Sequence, residues 1–351
     1  MQRWASGLVS RGLKVHLLTA HDMLPGVDQK VTVHRLKSGA PWAYLLSAKE
    51  LSDYLDAISP DLLNVHYATG YGLLARVSRF HPTLLSVWGS DVYDFPDKSA
   101  LHRWLLRGNL QSAEAVASTS ECMARRTSRV FPPKRLFITP FGVDERLFKP
   151  VAPDSGRKNV VIGTVKTLSK KYGIDILIRA FALAAKELGA STELSLEISG
   201  AGPDEAMLKE LAVQLGIASA VTFHGAVPHA RVPKMLQRLD IFAALSHSES
   251  FGVAAVEAAA CGLPVVVSDA DGLAEVTLDG QTGLVVPKRD HQAAASALVR
   301  LAKDKALRQK LGAAGRQHVL RHYTWSHSLD TMIAAYKTVI SEHTATLGLK
   351  K

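Results

Sequence analysis

At 351 residues the chain is long enough for two domains, each with a core of its own. Its 47% apolar and 21% charged residues are ordinary for a globular protein and exclude a disordered or coiled-coil class. Forty-two Lys and Arg against 32 Asp and Glu give a net charge of +10, which favours anionic partners. Nucleic acid is the least favoured of these, because no basic block, finger spacing or aromatic-interleaved basic stripe occurs. Residues 1–150 are the more basic part, with 19 basic against 13 acidic residues, compared with 23 against 19 in the rest. Cys122 and Cys261 lie far apart and fit no metal or redox spacing. They are expected to be buried thiols in a reducing compartment, hence a cytoplasmic protein. No stretch approaches the ~20 apolar residues of a membrane span, and no apolar run behind Met1 suggests a secretion signal.

In chain order, 2–12 reads as an amphipathic helix with Trp4, Leu8 and Val9 inward, and 14–19 as a strand. A doubly wound domain normally opens with a strand and a Gly-rich turn before such a helix. Both are absent here, so residues upstream of Met1 are expected to be missing, unless the domain tolerates their loss. Alternation continues with strands at 31–35, 62–66, 83–88, 114–118 and 135–138, and helices at 47–58, 70–80, 101–110 and 121–129. The polar, Pro-containing stretch 149–158 reads as a linker. A second series has strands at 159–163, 194–198, 221–223, 240–245, 265–267 and 284–286. Helices at 174–188, 203–215, 231–239, 253–260, 292–303 and 305–318 separate and follow them, and a last helix covers 328–341. The fold class is therefore α/β, with two Rossmann-like doubly wound domains facing a central cleft and ligands at the strand C-termini. The first domain covers 1–152, with 328–341 packing back on it, and the second covers 153–327.

The stretch 240–267 is the centre of the functional reading. A buried strand leads into Ser248-Glu-Ser-Phe-Gly252, followed by an Ala-rich helix, Gly262 and Pro264 to stop it, and a second buried strand. The amides of Phe251, Gly252 and Val253, with Ser250 before them, form a helix start that attracts a phosphate. Glu249 in the loop and Glu257 on the helix flank that position. An anion at the amides and hydroxyls at the carboxylates describe a phosphorylated sugar.

With Gly262-Leu-Pro-Val-Val behind it, this stretch resembles the Glu-x7-Glu signature of the retaining glycosyltransferases of family 4, which have the two-Rossmann GT-B fold. Ile138-Thr-Pro-Phe-Gly-Val-Asp-Glu-Arg-Leu-Phe148 is similar to that family's Pro-Asn-Gly-Val-Asp turn, with Phe141 in place of Asn. Phe223-His-Gly-Ala-Val-Pro-His229 and Glu275 to Pro287 resemble further landmarks. The resemblance implies that Glu257 accepts the nucleotide ribose hydroxyls and Glu249 holds the donor sugar. It also implies an Arg and a Lys that neutralise the leaving diphosphate, in the segment from Gly163 to Gly173. Lys170 fits the Lys position, with Lys171 as the alternative register. Thr164 stands where Arg is usual, and Lys166 is the candidate substitute, able to offset phosphate charge without the bidentate fork. Gly163 is counted with the nucleotide-binding residues. The alternative for the lysines is a solvated loop.

In the first half, His66 matches the second His of the family's His-x-His pattern, with Asn64 in place of the first. It is either a cleft-facing catalytic group or a packed histidine. Gly89 and Asp91 resemble the family's Gly-x-Asp on the acceptor side, although Asp91 would also serve as a helix cap. The basic segment 98–108 would either rest on an acidic membrane presenting a lipid-linked acceptor or turn a Leu/Trp stripe into the core, the plainer reading. The implied function is metal-independent sugar transfer from a nucleotide diphosphate sugar to a glycan or lipid-linked acceptor. No cofactor is expected, and the protein would be cytoplasmic or peripheral on the inner membrane face. The alternatives are a truncated, inactive nucleotide-sugar-binding remnant and another GT-B enzyme such as a sugar-nucleotide epimerase.

Overall fold

Strand and helix alternate along the chain in the computed structural model, which describes residues 2–22, 26–36, 43–151 and 159–349. Residues 152–158, most of the expected linker, lie outside them. The chain divides into two α/β units, Met1–Pro140 with Ser326–Lys351, and Phe141–Trp325. The division thus falls between Pro140 and Phe141 rather than after 152. Packing is the reason. Phe148 is fully buried in the second unit's core, the Phe141 ring meets Phe251 edge-on at 5.7 Å, and Val143 donates its amide to the Tyr323 carbonyl.

The first unit runs α1 (Gln2–Ser10), β1 (His16–Thr19), β2 (Thr32–Arg35), α2 (Ala43–Ile58), β3 (Leu63–His66), α3 (Gly70–Ser78) and β4 (Thr83–Val87). It continues through α4 (Ser90–Tyr93), α5 (Ala100–Ser112), β5 (Ala115–Ser118), α6 (Glu121–Val130) and β6 (Leu136–Ile138). Strands β3-β4-β5-β6 make one parallel sheet, and β1-β2 a separate parallel pair. All five residues of β4 are buried, as befits a strand with helices over both faces. The core-facing stripe expected on α5 is present in Leu106 and Leu110 but does not include Trp104. Leu101 is 61% and Trp104 59% exposed, whereas Leu106 and Leu110 are buried. Trp104 precedes Leu106 by two residues, about 200° around a helix, so burying the Leu106 side turns the indole outward.

The second unit opens with β7 (Val160–Val165), a 3₁₀ turn at Lys170–Tyr172, α7 (Ile174–Leu188), β8 (Leu194–Ser199), α8 (Glu205–Gln214) and β9 (Val221–Gly225). It goes on with α9 (Val232–Leu236), β10 (Ile241–Ala244), α10 (Val253–Ala260), β11 (Val265–Ser268) and α11 (Asp271–Val276). Strand β12 (Gly283–Val286), α12 (His291–Lys303) and α13 (Lys305–His322) complete it. Its six strands are parallel in the order β12-β11-β10-β7-β8-β9. This is the doubly wound order, and it reverses between β7 and β10, where such sheets open a crevice at the strand C-termini. Helix α14 (Trp325–Gly348) is longer than the predicted 328–341 and returns to the first unit, where Asp330 pairs with Arg11 and Glu342 with Arg135. Among the described residues, no helix is long and apolar enough to cross a membrane.

Candidate functional site

Both charged groups expected to handle the donor emerge at the strand reversal of the second unit. Lys166 follows the last residue of β7, and the loop from Leu245 to Gly252 follows β10. The Lys166 ammonium meets Oε2 of Glu249 at 2.5 Å, with both side chains largely buried at 17% and 13% exposure. Ser246 donates its hydroxyl to the same carboxylate oxygen at 3.4 Å, and the Tyr172 ring lies 4.4 Å from the ammonium. Lys170 and Lys171 sit together on the 3₁₀ turn. Lys170 is exposed there, and the Lys171 carbonyl accepts the His247 amide, tying that turn to the Glu249 loop. The histidine itself is held below its usual pKa by burial first, and by Arg289 and Lys170 as well, against the opposing pull of Asp175.

The Ser248-Glu-Ser-Phe-Gly252 loop is shaped from beneath. The Phe251 side chain is core, packed edge-on against Phe141 and Tyr323, so its backbone is the part left to meet a ligand. Gly252 takes φ +103°, a left-handed conformation that starts α10 on the far side of the turn. Gly272 donates its amide to the Glu249 carbonyl at 3.0 Å, and a β-carbon there would lie 2.4 Å from the Phe251 nitrogen. Val253 opens α10 half in solvent. Gly163 lies inside β7, where a side chain would strike Leu239 and the Glu197 carbonyl, so close packing accounts for it. Thr164 is buried in the same strand.

Glu257, buried on α10, accepts a hydrogen bond at 2.9 Å from Nε2 of His229. It also helps burial, the larger cause, raise the Cys261 thiol to about 12. The two glutamates thus have separate partners, Glu249 with Lys166 and Glu257 with His229.

In the first unit the sequence-selected residues meet through Trp88. Its indole N–H donates to Nδ1 of His66 at 3.2 Å, and its amide donates to Asp91. An accepting Nδ1 means a neutral ring with its proton on Nε2, and burial accordingly lowers the His66 pKa to about 3. Asp91 is fully buried and also accepts from the Ala68 and Gly89 amides at 2.9 and 2.8 Å. Burial raises its pKa while these backbone donors oppose the rise. The carboxylate thus staples the loop after β3 to the turn after β4 rather than facing a ligand, and Gly89 supplies the unusual φ of +137° beside it.

Sequence reading passed over three groups here. Tyr67, a non-glycine at φ +82°, places its hydroxyl 2.8 Å from that of Ser90 at the end of β3, and strain in such a place often marks a site. Gly200, in a Gly-x-Gly after β8, has φ +141° and lies against the Lys166 carbonyl. His229 entered only as a landmark.

Two family profiles match the chain, "Glycosyl transferases group 1" over residues 146–318 and "Glycosyl transferase 4-like" over residues 1–120. Residues 146–318, just under half of the chain, are thus similar to the group 1 glycosyltransferases. One similar relative is the D-inositol 3-phosphate glycosyltransferase of Stackebrandtia nassauensis, 34% identical over 59% of this chain and 50% of its own length. The chain spans about half the length of the curated relatives of that name that it matches. The N-acetyl-alpha-D-glucosaminyl L-malate synthase of Bacillus anthracis is 24% identical over 95% of this chain and 90% of its own. Among solved structures, a sucrose-phosphate synthase of Thermosynechococcus elongatus aligns with a TM-score of 0.81 at 21% identity, over 97% of this chain and 92% of that one. That likeness carries the GT-B fold to this chain.

Proposed function

We propose that the chain is a retaining, metal-independent glycosyltransferase that moves a sugar from a nucleotide diphosphate sugar to an acceptor. The observation that carries the reading is the Lys166–Glu249 contact where the sheet reverses, beside the start of α10. Phosphates lie at the α10 amides and near Lys166, with Lys170 in reserve, and Glu249 turns to the sugar hydroxyls. The acceptor oxygen attacks the anomeric carbon on the face that the phosphate leaves. As the carbon–phosphate oxygen bond breaks, the departing oxygen takes the acceptor's proton, and the cations stabilise its charge. No protein nucleophile is required. His66, neutral because its Nδ1 accepts from Trp88, is not a general acid.

Calorimetry with UDP, GDP and ADP, followed by NMR of the product anomer formed from the matching sugar nucleotide in the presence of EDTA, tests the reading. An inverted anomer or a strict metal requirement overturns it. Glu257→Ala is expected to weaken nucleoside diphosphate binding by about ten- to a hundredfold, the loss of one or two charge-assisted hydrogen bonds. Unchanged affinity would remove Glu257 from the ribose.

For the acceptor we propose presentation at an acidic membrane face. Leu101 and Trp104 are exposed on α5 beside Lys98, Arg103 and Arg107, and Arg76 stacks over the indole at 5.7 Å. The chain is expected to sediment with phosphatidylglycerol vesicles but not phosphatidylcholine vesicles, and Leu101→Ser with Trp104→Ser to abolish this. Failure of the unaltered chain to sediment favours a small soluble acceptor, as the names of the inositol phosphate and malate relatives suggest.

A further inference from the structure

We infer that His229 is a nucleotide-positioning residue, which fixes the Glu257 carboxylate so that it presents its remaining acceptor sites to the ribose; this rests on the donor reading above. A carboxylate on α10 has little else to hold it. The helix reads Val-Ala-Ala-Val-Glu-Ala-Ala-Ala, so Glu257 is its one polar side chain, and its helical neighbours are methyl and isopropyl groups. A buried carboxylate among such neighbours needs a donor. His229 supplies one from a different element, the 3₁₀ turn His229–Arg231 that follows β9 and Pro228.

The two ends of this hydrogen bond stand in unlike surroundings. Glu257 is inside, while the His229 side chain is 61% exposed. The imidazole therefore stands at the solvent end of the contact and the carboxylate at its buried end. Its ring is backed by the fully buried Phe148, with centroids 5.7 Å apart, which limits its rotation. Oε1 accepts and cannot donate as a carboxylate, so the Nε2 proton is directed at it. A carboxylate has about four acceptor positions, and one bond from a fixed ring orients its plane while leaving room for a vicinal diol. Loss of the donor would let the carboxylate swing among alanines and would leave it unsatisfied until ligand arrives.

The test compares binding of UDP, GDP and ADP with that of their 2′-deoxy forms, in the full chain and in His229 variants. His229→Ala is expected to weaken the preferred ribonucleotide about tenfold and to shrink the ribo-to-deoxy preference by a similar factor. His229→Gln, whose amide still reaches as a donor, should recover most of both, which a purely structural role would not predict. Adding His229→Ala to Glu257→Ala should cost nothing further, since the histidine acts through the carboxylate. The inference is overturned if His229→Ala keeps both affinity and ribose preference, or if the double variant loses the sum of the single losses. A full chain that binds none of the three diphosphates overturns the donor reading itself, and this inference with it.

Discussion

Lys166→Ala should lower turnover by roughly a hundred- to a thousandfold, with a smaller loss of nucleoside diphosphate affinity. That range follows from removing one preorganised group that stabilises developing charge in a water-poor site. The ammonium is held 2.5 Å from Glu249 in a largely buried position, so its orientation needs no reorganisation beyond exchanging one anion for another. The same substitution leaves Glu249 largely buried without its cation, a loss on the order of 3 kcal/mol. At about 2–4 °C per kcal/mol for a unit of this size, the melting temperature should fall by roughly 6–12 °C. Lys166→Arg separates the effects. It restores the charge against Glu249 and hence the melting temperature, while turnover reports how well a fork replaces a point charge at the phosphate. Steady-state kinetics with calorimetric binding checks the first part and thermal melting the second. Turnover within a fewfold of the unaltered chain would remove Lys166 from the leaving-group site.

Gly272→Ala should destabilise the second unit and weaken nucleotide binding at least tenfold, although helix propensity alone argues the other way. Gly272 lies in α11, where alanine is better than glycine by about 1 kcal/mol. Against that, the added carbon would sit 2.4 Å from the Phe251 nitrogen, 2.5 Å from the Ser250 carbonyl carbon and 2.8 Å from the Glu249 oxygen. These are backbone atoms, which cannot rotate aside as a side chain would. Overpacking of this kind costs typically 1–3 kcal/mol, so the clash wins, and relief comes only by moving the loop that carries Glu249. Gly348, in α14 with nothing within 4 Å of its would-be β-carbon, gives the contrast: Gly348→Ala should be neutral or stabilising. Thermal melting and calorimetry on the pair check both. Equal behaviour of the two variants would mean that α11 yields to the new methyl.

The elements with strong local signals were legible in the sequence. The bounds of α7 and α10 agree to the residue, because each starts after a glycine turn and carries an uninterrupted run of helix formers. Helices α4 and α11 were not legible. They are four and six residues long, too short for a periodic pattern, and are held by tertiary contacts such as the Asp91 carboxylate on three amides. On α5 the period was readable but its phase was not, since which side of an amphipathic helix is covered depends on what packs against it. Neither the pairing of Lys166 with Glu249 nor that of His229 with Glu257 is visible in the sequence, because each joins elements with no sequence relation. Gly272 and Gly200 were invisible for a similar reason. Their need for a bare α-carbon arises from a neighbouring loop rather than from their own turn.

The reversal of strand order between β7 and β10 also has a bearing on how the chain folds. Lys166 and Glu249 stand 83 positions apart, with β8, β9 and their helices between them. Their meeting closes a long loop, whose entropy is lost before any contact across it compensates. Local strand–helix–strand pieces of either half hold only one of the two charges. On the donor reading proposed above, a nucleotide has its full set of partners only in molecules that have completed this closure. Bound ligand adds its free energy to that state alone, and so acts as a latch on the joined sheet rather than as a guide toward it.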